Sequence, residues 1–412
     1  MRFKIPWTPL VISAVVLLSS GLAVQPVRDA AALTDVAEAY LARPTSYVAL
    51  APVSNTLDLL TLLSARQHIA LVVAALLAFI VWRVVRGTRA PARARAHVVA
   101  SLLFVVAVAL TYAATLFLPR PMAYLVADNA NILIADFHSH TGASHDVRDS
   151  WTEEDNRAWH RGAGFNVAFV TDHASVSSAE RAIVNNPKPA AGGVTLLQAI
   201  EVSWKGEHVS IPGAERTYKG LLTNNMRDLD EQALALASMV GGREPVIIWN
   251  HPRDLSRLPA ATQIGMPGVR AMELVNGGPK DMDHVRPKRD SIVAFAERNN
   301  IALTSGSDNH GWGRVTPAWT ILRIMDWRGL QGDALALEIE QAIRNGGVRA
   351  TRVVERRVAH AGNPTALALT PIAAPLRMLT TLSNEERVVW ILWVWLIWAG
   401  VRLRKRAKQL ET

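Results

Sequence analysis

Four apolar runs, each bordered by Lys or Arg, constrain this chain more than any other feature. Leu10–Val24 follows Arg2 and Lys4, Ile69–Val85 ends in Trp82, Arg83 and Arg86, and Val98–Leu118 follows Arg89, Arg93 and Arg95. Val388–Val401 carries Trp390, Trp393, Trp395 and Trp398 and leads into Arg402, Arg404, Lys405, Arg406 and Lys408. A membrane span needs about 20 mostly apolar residues. The second and third runs approach that length. The first and last are shorter and need their flanking residues to cross.

Half of the 412 residues are hydrophobic, which agrees with membrane spans, and the net charge is +9. That charge is unevenly placed. From Arg120 to Glu385 there are 28 Lys/Arg against 29 Asp/Glu, while the rest of the chain holds 16 against 6. The excess borders the apolar runs, where it orients spans in a bilayer, and it gives no basis for nucleic-acid binding. If every run crosses, the N-terminus, the Arg83–Arg95 loop and the Arg402–Lys408 tail all fall on one side.

The expected organisation follows from this. Residues 1–25 are an anchor or a cleaved signal peptide, and 26–68 are a short outer segment without evident chemistry. Residues 69–118 are two transmembrane helices joined by a basic cytoplasmic loop, and 120–385 are a large outer domain. Residues 388–403 are a last transmembrane helix, for which a buried helix is the alternative, and 404–412 are a basic cytoplasmic tail. The expectation is a multi-pass protein of the cell (inner) membrane with its large domain on the periplasmic or outer side.

Within the outer domain, short apolar stretches alternate with helix-like ones. Strands are expected at Ile132–Phe137, Asn166–Thr171, Thr195–Val202, Val246–Asn250, Arg270–Val275, Ile301–Ser305 and Ala318–Ile324. Helices are expected at Glu153–Gly162, Asp228–Val240, Arg286–Asn299 and Leu335–Asn345. This alternation predicts an α/β fold of parallel strands with helical crossovers, and about seven units suit a barrel.

Seven of the twelve histidines fall at or just past the ends of these strands. His138 and His140 sit in Asp136-Phe-His-Ser-His-Thr, and spacing i, i+2 on an extended segment puts both rings on one face. His145 and Asp146 follow within a few residues. Thr171-Asp172-His173 ends the second strand and Glu201 the third, with His208 seven residues later. Asn250-His251-Pro252 and Ser307-Asp308-Asn309-His310 end two more. A lone histidine is more often structural, but clusters at successive strand ends converge on one face of a barrel, where chemistry is found. With no cysteine in the chain, any metal must be held by His, Asp or Glu.

The order and wording of these clusters resemble the PHP (polymerase and histidinol phosphatase) family. The match runs from about Ile132 to Arg314, less than half the chain. The resemblance implies a distorted (β/α)7 barrel, here joined to about four transmembrane helices, with two or three divalent ions (Mn, Zn or Fe). It implies that His138, His140, Glu201 and Asp308 surround one ion, and that Glu201 bridges to a second held with His208 and His251. A third would take His173, His310 and either His145 or Asp146. Asp136 and Asp172 would fix histidine tautomers.

Such a site implies a phosphoesterase that cleaves a phosphate mono- or diester with a metal-activated hydroxide. Asp308, Glu201 and Arg314 are its candidate catalytic residues, with Arg314 gripping a phosphate. Trp312 would stack on a base or sugar or close the barrel mouth, and Lys205 would touch substrate. The expected partners are the membrane and a small phosphorylated substrate or lipid headgroup, with no polymerase. A metal-dependent hydrolase of another bond and a non-catalytic sensor domain are the alternatives. His160, His284 and His360 match no cluster and are expected to be structural or on the surface, while His68 and His97 flank spans.

Overall fold

A computed structural model describes residues 5–85, 92–187, 192–204, 207–213, 246–252 and 269–410. Lys205 and the expected helix Asp228–Val240 lie outside these residues. The described strands are β1 (Val27–Asp29), β2 (Ala39–Ala42), β3 (Tyr124–Ala127), β4 (Ile132–Ser139), β5 (Val167–Val170) and β6 (Thr195–Trp204). They continue as β7 (Glu207–Pro212), β8 (Ile247–Asn250), β9 (Val269–Asn276), β10 (Ala302–Gly306), β11 (Ala318–Arg323) and β12 (Thr351–Arg356).

One ten-stranded sheet has the order β1-β12-β11-β4-β5-β6-β7-β8-β9-β10, and β2 pairs with β3 in a second. β4, β5 and β6 run parallel, β7 is antiparallel to both neighbours, and β8, β9 and β10 are parallel again. Past β10 the chain returns to β4: Asp308 N–H donates to the His138 carbonyl at 2.8 Å and His140 N–H to the Asn309 carbonyl at 3.2 Å. The sheet is therefore strongly curled, and the fold is mixed α/β.

Alternating side chains fill the inside of the curl. Leu133, Ala135 and Phe137 of β4 meet Val167 and Phe169 of β5, with the two phenyl rings stacked at 5.2 Å. The helix Gly332–Gly346 adds Leu335, Ile339 and Ile343, an i, i+4, i+8 stripe, to the same core. Each such buried side chain contributes about 1.5–3 kcal/mol. The helix Glu153–Ala163 begins with a Thr152–Asp155 capping box and ends at Gly164 with φ +88°. A Cβ there would run into the backbone of Leu125.

Every expected strand is present. Two departures come from long-range pairing. His208, outside every expected strand, lies on β7, which is held by β6 and β8 on either side. Residues 26–68, expected as a separate outer segment, supply β1, which pairs with β12, and β2, which pairs with β3.

The expectation of four membrane helices is corrected to two. Among the described residues, Ala65–Val85 and Arg95–Phe117 are long and apolar enough to cross a membrane. The first run is helical only over Trp7–Leu18, with a 3₁₀ turn at Ser19–Leu22. The last lies in the helix Asn384–Leu410, yet only 14 residues separate Arg387 from Arg402. At 1.5 Å per residue that apolar stretch rises about 21 Å, short of a hydrocarbon core of about 30 Å. These two helices also spend polar contacts on protein, with Trp395 Nε1–H donating to Ser13 Oγ at 3.2 Å and Trp390 Nε1–H to Asn55 Oδ1 at 2.9 Å.

Candidate metal centre

The curl brings one end of β4, β5, β6, β7, β8 and β10 together. His138 and His140 come from the end of β4, and Glu201 of β6 and His208 of the neighbouring β7 bring Oε1 and Nδ1 to 3.1 Å. His173 follows β5 and bridges to Glu201, His251 follows β8, and Asp308 and His310 follow β10. Three non-glycine residues here hold left-handed backbone, with φ of +51° at Ala174, +26° at His251 and +48° at Asp308. Such conformations cost on the order of 1–3 kcal/mol each and persist where the surroundings enforce them.

At the centre, the Nε2 atoms of His138 and His140 lie 3.0 Å apart. Their far nitrogens are spoken for. His138 Nδ1 lies 2.8 Å from the buried Glu273 carboxylate, which only accepts, so Nδ1 carries the hydrogen. His140 Nδ1 lies 3.2 Å from Ser144 Oγ, whose own hydrogen goes to Asp172 at 3.1 Å. Both Nε2 atoms therefore turn lone pairs inward in the neutral rings. Around them, Glu201 Oε2 lies 3.2 and 3.4 Å away and Asp308 Oδ1 3.4 and 3.3 Å away. Four acceptors thus converge without a donor among them, and the group is almost fully buried. Such an arrangement requires either a trapped proton or a cation, and its donor set fits a divalent ion.

Glu201 faces two ways. Its Oε2 also lies 3.3 Å from His173 Nδ1, while its Oε1 is 3.1 Å from His208 Nδ1 and 3.9 Å from His251 Nε2. Asn250 Nδ2–H donates to the same Oε1 at 2.9 Å. A third group is more open: Asp146 Oδ2 lies 3.3 Å from His173 Nε2 and 3.2 Å from His310 Nε2. His310 Nδ1 donates to the Asp308 carbonyl at 2.8 Å, which leaves its Nε2 lone pair facing that carboxylate. Among the described residues, three sets of side chains can hold a metal ion: His138, His140 and Asp308; His140, His173 and His310; and His173, Glu201 and His208.

Electrostatics follow the geometry. Burial alone would raise the Glu201 carboxyl, but His138, once protonated at Nε2 as well and so charged and donating, and the His208 contact hold it well below the usual carboxylate range. Asp308 is likewise pulled down against burial, mainly by His138 and His140. Burial opposes a charge on His138, yet Glu201, Asp308 and Glu273 raise it well above an ordinary imidazole. Burial carries His140 down despite Asp308.

All ten residues expected to hold metal are in the described structure, and nine converge. Asp146 reaches His173 and His310, whereas the His145 ring only packs near His173 at 5.2 Å. Asp136 and Asp172 do not fix the rings of His138 and His140. Asp136 accepts from the backbone of His138 and Ser307 and pairs with the buried His160 at 2.8 Å, while Asp172 binds Thr141, Ser144 and Ser178. Glu273 and Ser144, which do hold those rings, were missed. A carboxylate inside the apolar strand at Arg270–Val275 was the available signal for Glu273.

Arg314 is partly buried with no hydrogen-bond or ion-pair partner among the described residues; burial, then Arg120 and Arg148, lowers its pKa. Trp312 is exposed and packs edge-on to Phe117 of an apolar helix at 5.6 Å, a contact neither expectation named. Away from the site, His360 contacts Arg28 at 3.0 Å, His68 contacts Tyr112 at 3.0 Å, and His97 contacts Arg83.

No family model and no curated protein matches this chain. Several solved structures resemble it at low identity. PsfC from Pseudomonas syringae PB-5123 is 17% identical, with a TM-score of 0.37 over 59% of this chain and 97% of that one. The lesion-specific endonuclease PfuEndoQ from Pyrococcus furiosus is 18% identical, with a TM-score of 0.37 over 54% and 57%. An amidohydrolase from Chromobacterium violaceum is 16% identical, with a TM-score of 0.28 over 43% and 87%.

Proposed function

We propose that this chain is a metal-dependent phosphoesterase of PHP type, set in a membrane with its site on the outer side. The observation that carries this reading is the convergence of His138, His140, Glu201 and Asp308 with both ring tautomers turned inward. Divalent ions (Mn, Zn or Fe) held there would neutralise phosphoryl charge and make hydroxide available from water near neutral pH.

The chain's own residues set the rest. Glu201, Glu273, Asp308 and Asp146 make the bare site anionic, so a phosphate enters only where cations have reversed that field. Glu201 ties the two inner groups through its two oxygens, and Asp146 with His173 and His310 forms the solvent-facing group where an ester arrives. Arg314, without a partner among the described residues and four residues past His310 in the chain, is the candidate grip on a phosphate oxygen. The tether is the pair Ala65–Val85 and Arg95–Phe117, oriented by the basic stretch between them.

The test is metal content and turnover of p-nitrophenyl phosphate and bis(p-nitrophenyl) phosphate, for the wild type and Asp308→Ala. The reading expects bound metal and ester cleavage in the wild type, both lost or strongly reduced in the variant. Metal bound without cleavage of either ester would leave a hydrolase of another bond or a sensor.

A further inference from the structure

A cavity of about 510 Å³ runs between the candidate metal centre and the two apolar helices. On one side it is lined by Asp146, Asp308 and His310, and on the other by His68, Tyr112 and Leu116. The volume falls in the range of small-molecule sites, about 300–1,000 Å³. His68 begins the first helix and Leu116 ends the second, so the cavity opens at the end of the hairpin opposite its basic connection. Tyr112 lies five residues, about 7 Å of helix, inside that end. Its hydroxyl bonds His68 Nδ1 at 3.0 Å and joins the two helices there. Trp312, four residues past Asp308, leans on Phe117 and lines the same cavity.

We infer that the substrate is a phosphate ester of a hydrocarbon-chain alcohol, a lipid-like amphiphile. Its phosphate lies at the His310–Asp308 wall and its chain along Tyr112 and Leu116 toward the bilayer. This rests on the phosphoesterase reading above and on the two helices lying in a membrane. One continuous cavity has carboxylates and imidazoles at one end and helix at the other. The apolar helices it meets are almost uncovered by protein, with 0% and 6% of their most apolar windows buried. A fully water-soluble ester would gain nothing from that wall. Lys280 also lines the cavity and is exposed, a cation in position for a second headgroup oxygen. In the reaction, water oxygen bonds to phosphorus, the P–O bond to the alcohol breaks, and the alcohol leaves with a proton as inorganic phosphate forms.

The test uses the full chain in phosphatidylcholine nanodiscs, loaded with Mn, and n-alkyl phosphates from ethyl to octyl with p-nitrophenyl phosphate as reference. kcat/KM is expected to climb about threefold per added methylene, near the about fourfold of full burial. Leu116→Arg, checked for unchanged metal content and circular dichroism, is expected to flatten the series. A flat series in the wild type overturns the chain-binding inference while leaving a phosphoesterase. A slope that survives Leu116→Arg also overturns it, because partition into the disc then explains the gain. Failure to cleave any phosphate ester, p-nitrophenyl phosphate included, overturns the phosphoesterase reading itself.

Discussion

His138 and His140 point their Nε2 atoms at each other across 3.0 Å, while Glu273 and Ser144 hold the opposite nitrogens. Two lone pairs at that distance repel unless something positive lies between or beside them. His138 carries its pKa well above the ordinary value, so near neutral pH a proton serves that role in the metal-free chain. A metal has to displace it. Calorimetry in buffers of different ionisation enthalpy should therefore find proton release on Mn or Zn binding, with affinity rising about tenfold per pH unit for one displaced proton. Binding without proton release would mean that His138 is already neutral in the metal-free chain.

Glu273 touches no expected ligand position except through His138 Nδ1 and the His251 amide, which donates to it at 2.7 Å. Glu273→Gln keeps the shape but weakens the acceptor. Metal affinity is expected to fall about 10–100-fold, with the fold retained, as judged by metal titration and circular dichroism.

Gly306 ends β10 where that strand comes closest to the site. A Cβ there would meet the Glu273 carboxylate and the His138 Cβ. Gly306→Ala should lower stability by about 1–3 kcal/mol in denaturant unfolding and reduce bound metal, because His138 must give way. Full metal occupancy with unchanged stability would mean the strand can shift freely.

His310 gives a pH signature in metal-free protein. Burial opposes its charge, but the Asp146 hydrogen bond and Asp308 raise it from 6.5 to about 9. A raised histidine contributes its stabilisation fully below pH 6.5 and loses it as pH rises through 9. The melting temperature of the chelated protein should drop across that window, and His310→Gln should make the drop smaller, the raised His138 and His173 supplying the remainder.

The chain has no cysteine, so single introduced thiols report topology directly. Gly362→Cys, in open space after β12, is expected to react with a membrane-impermeant maleimide on intact cells. Thr88→Cys, between the two apolar helices, should react only after permeabilisation. The reverse pattern would turn the site to the cytoplasmic side.

Local pattern was legible wherever one segment decides its own state. The apolar stretches at Ile132–Phe137 and Ala318–Ile324 are strands, and the stripe at Leu335–Asn345 is helical, because backbone preference and burial agree there. Spacing of two on a strand end was enough to bring His138 and His140 to one place. The sequence alone thus determined the strand-and-helix alternation, the twelve histidines and their grouping, and the two longest apolar helices. Tertiary structure decided what depends on distant partners. β7 is a strand because β6 and β8 bond it on both sides, and Glu273 matters because the curl carries β9 beside His138. The same is true of Asp146, which reaches His173 and His310 only once the loop after β4 meets the loops after β5 and β10. Hydrogen bonds and ion contacts fall off within a few ångströms. Residues far apart in the chain acquire such roles only when the sheet closes on itself.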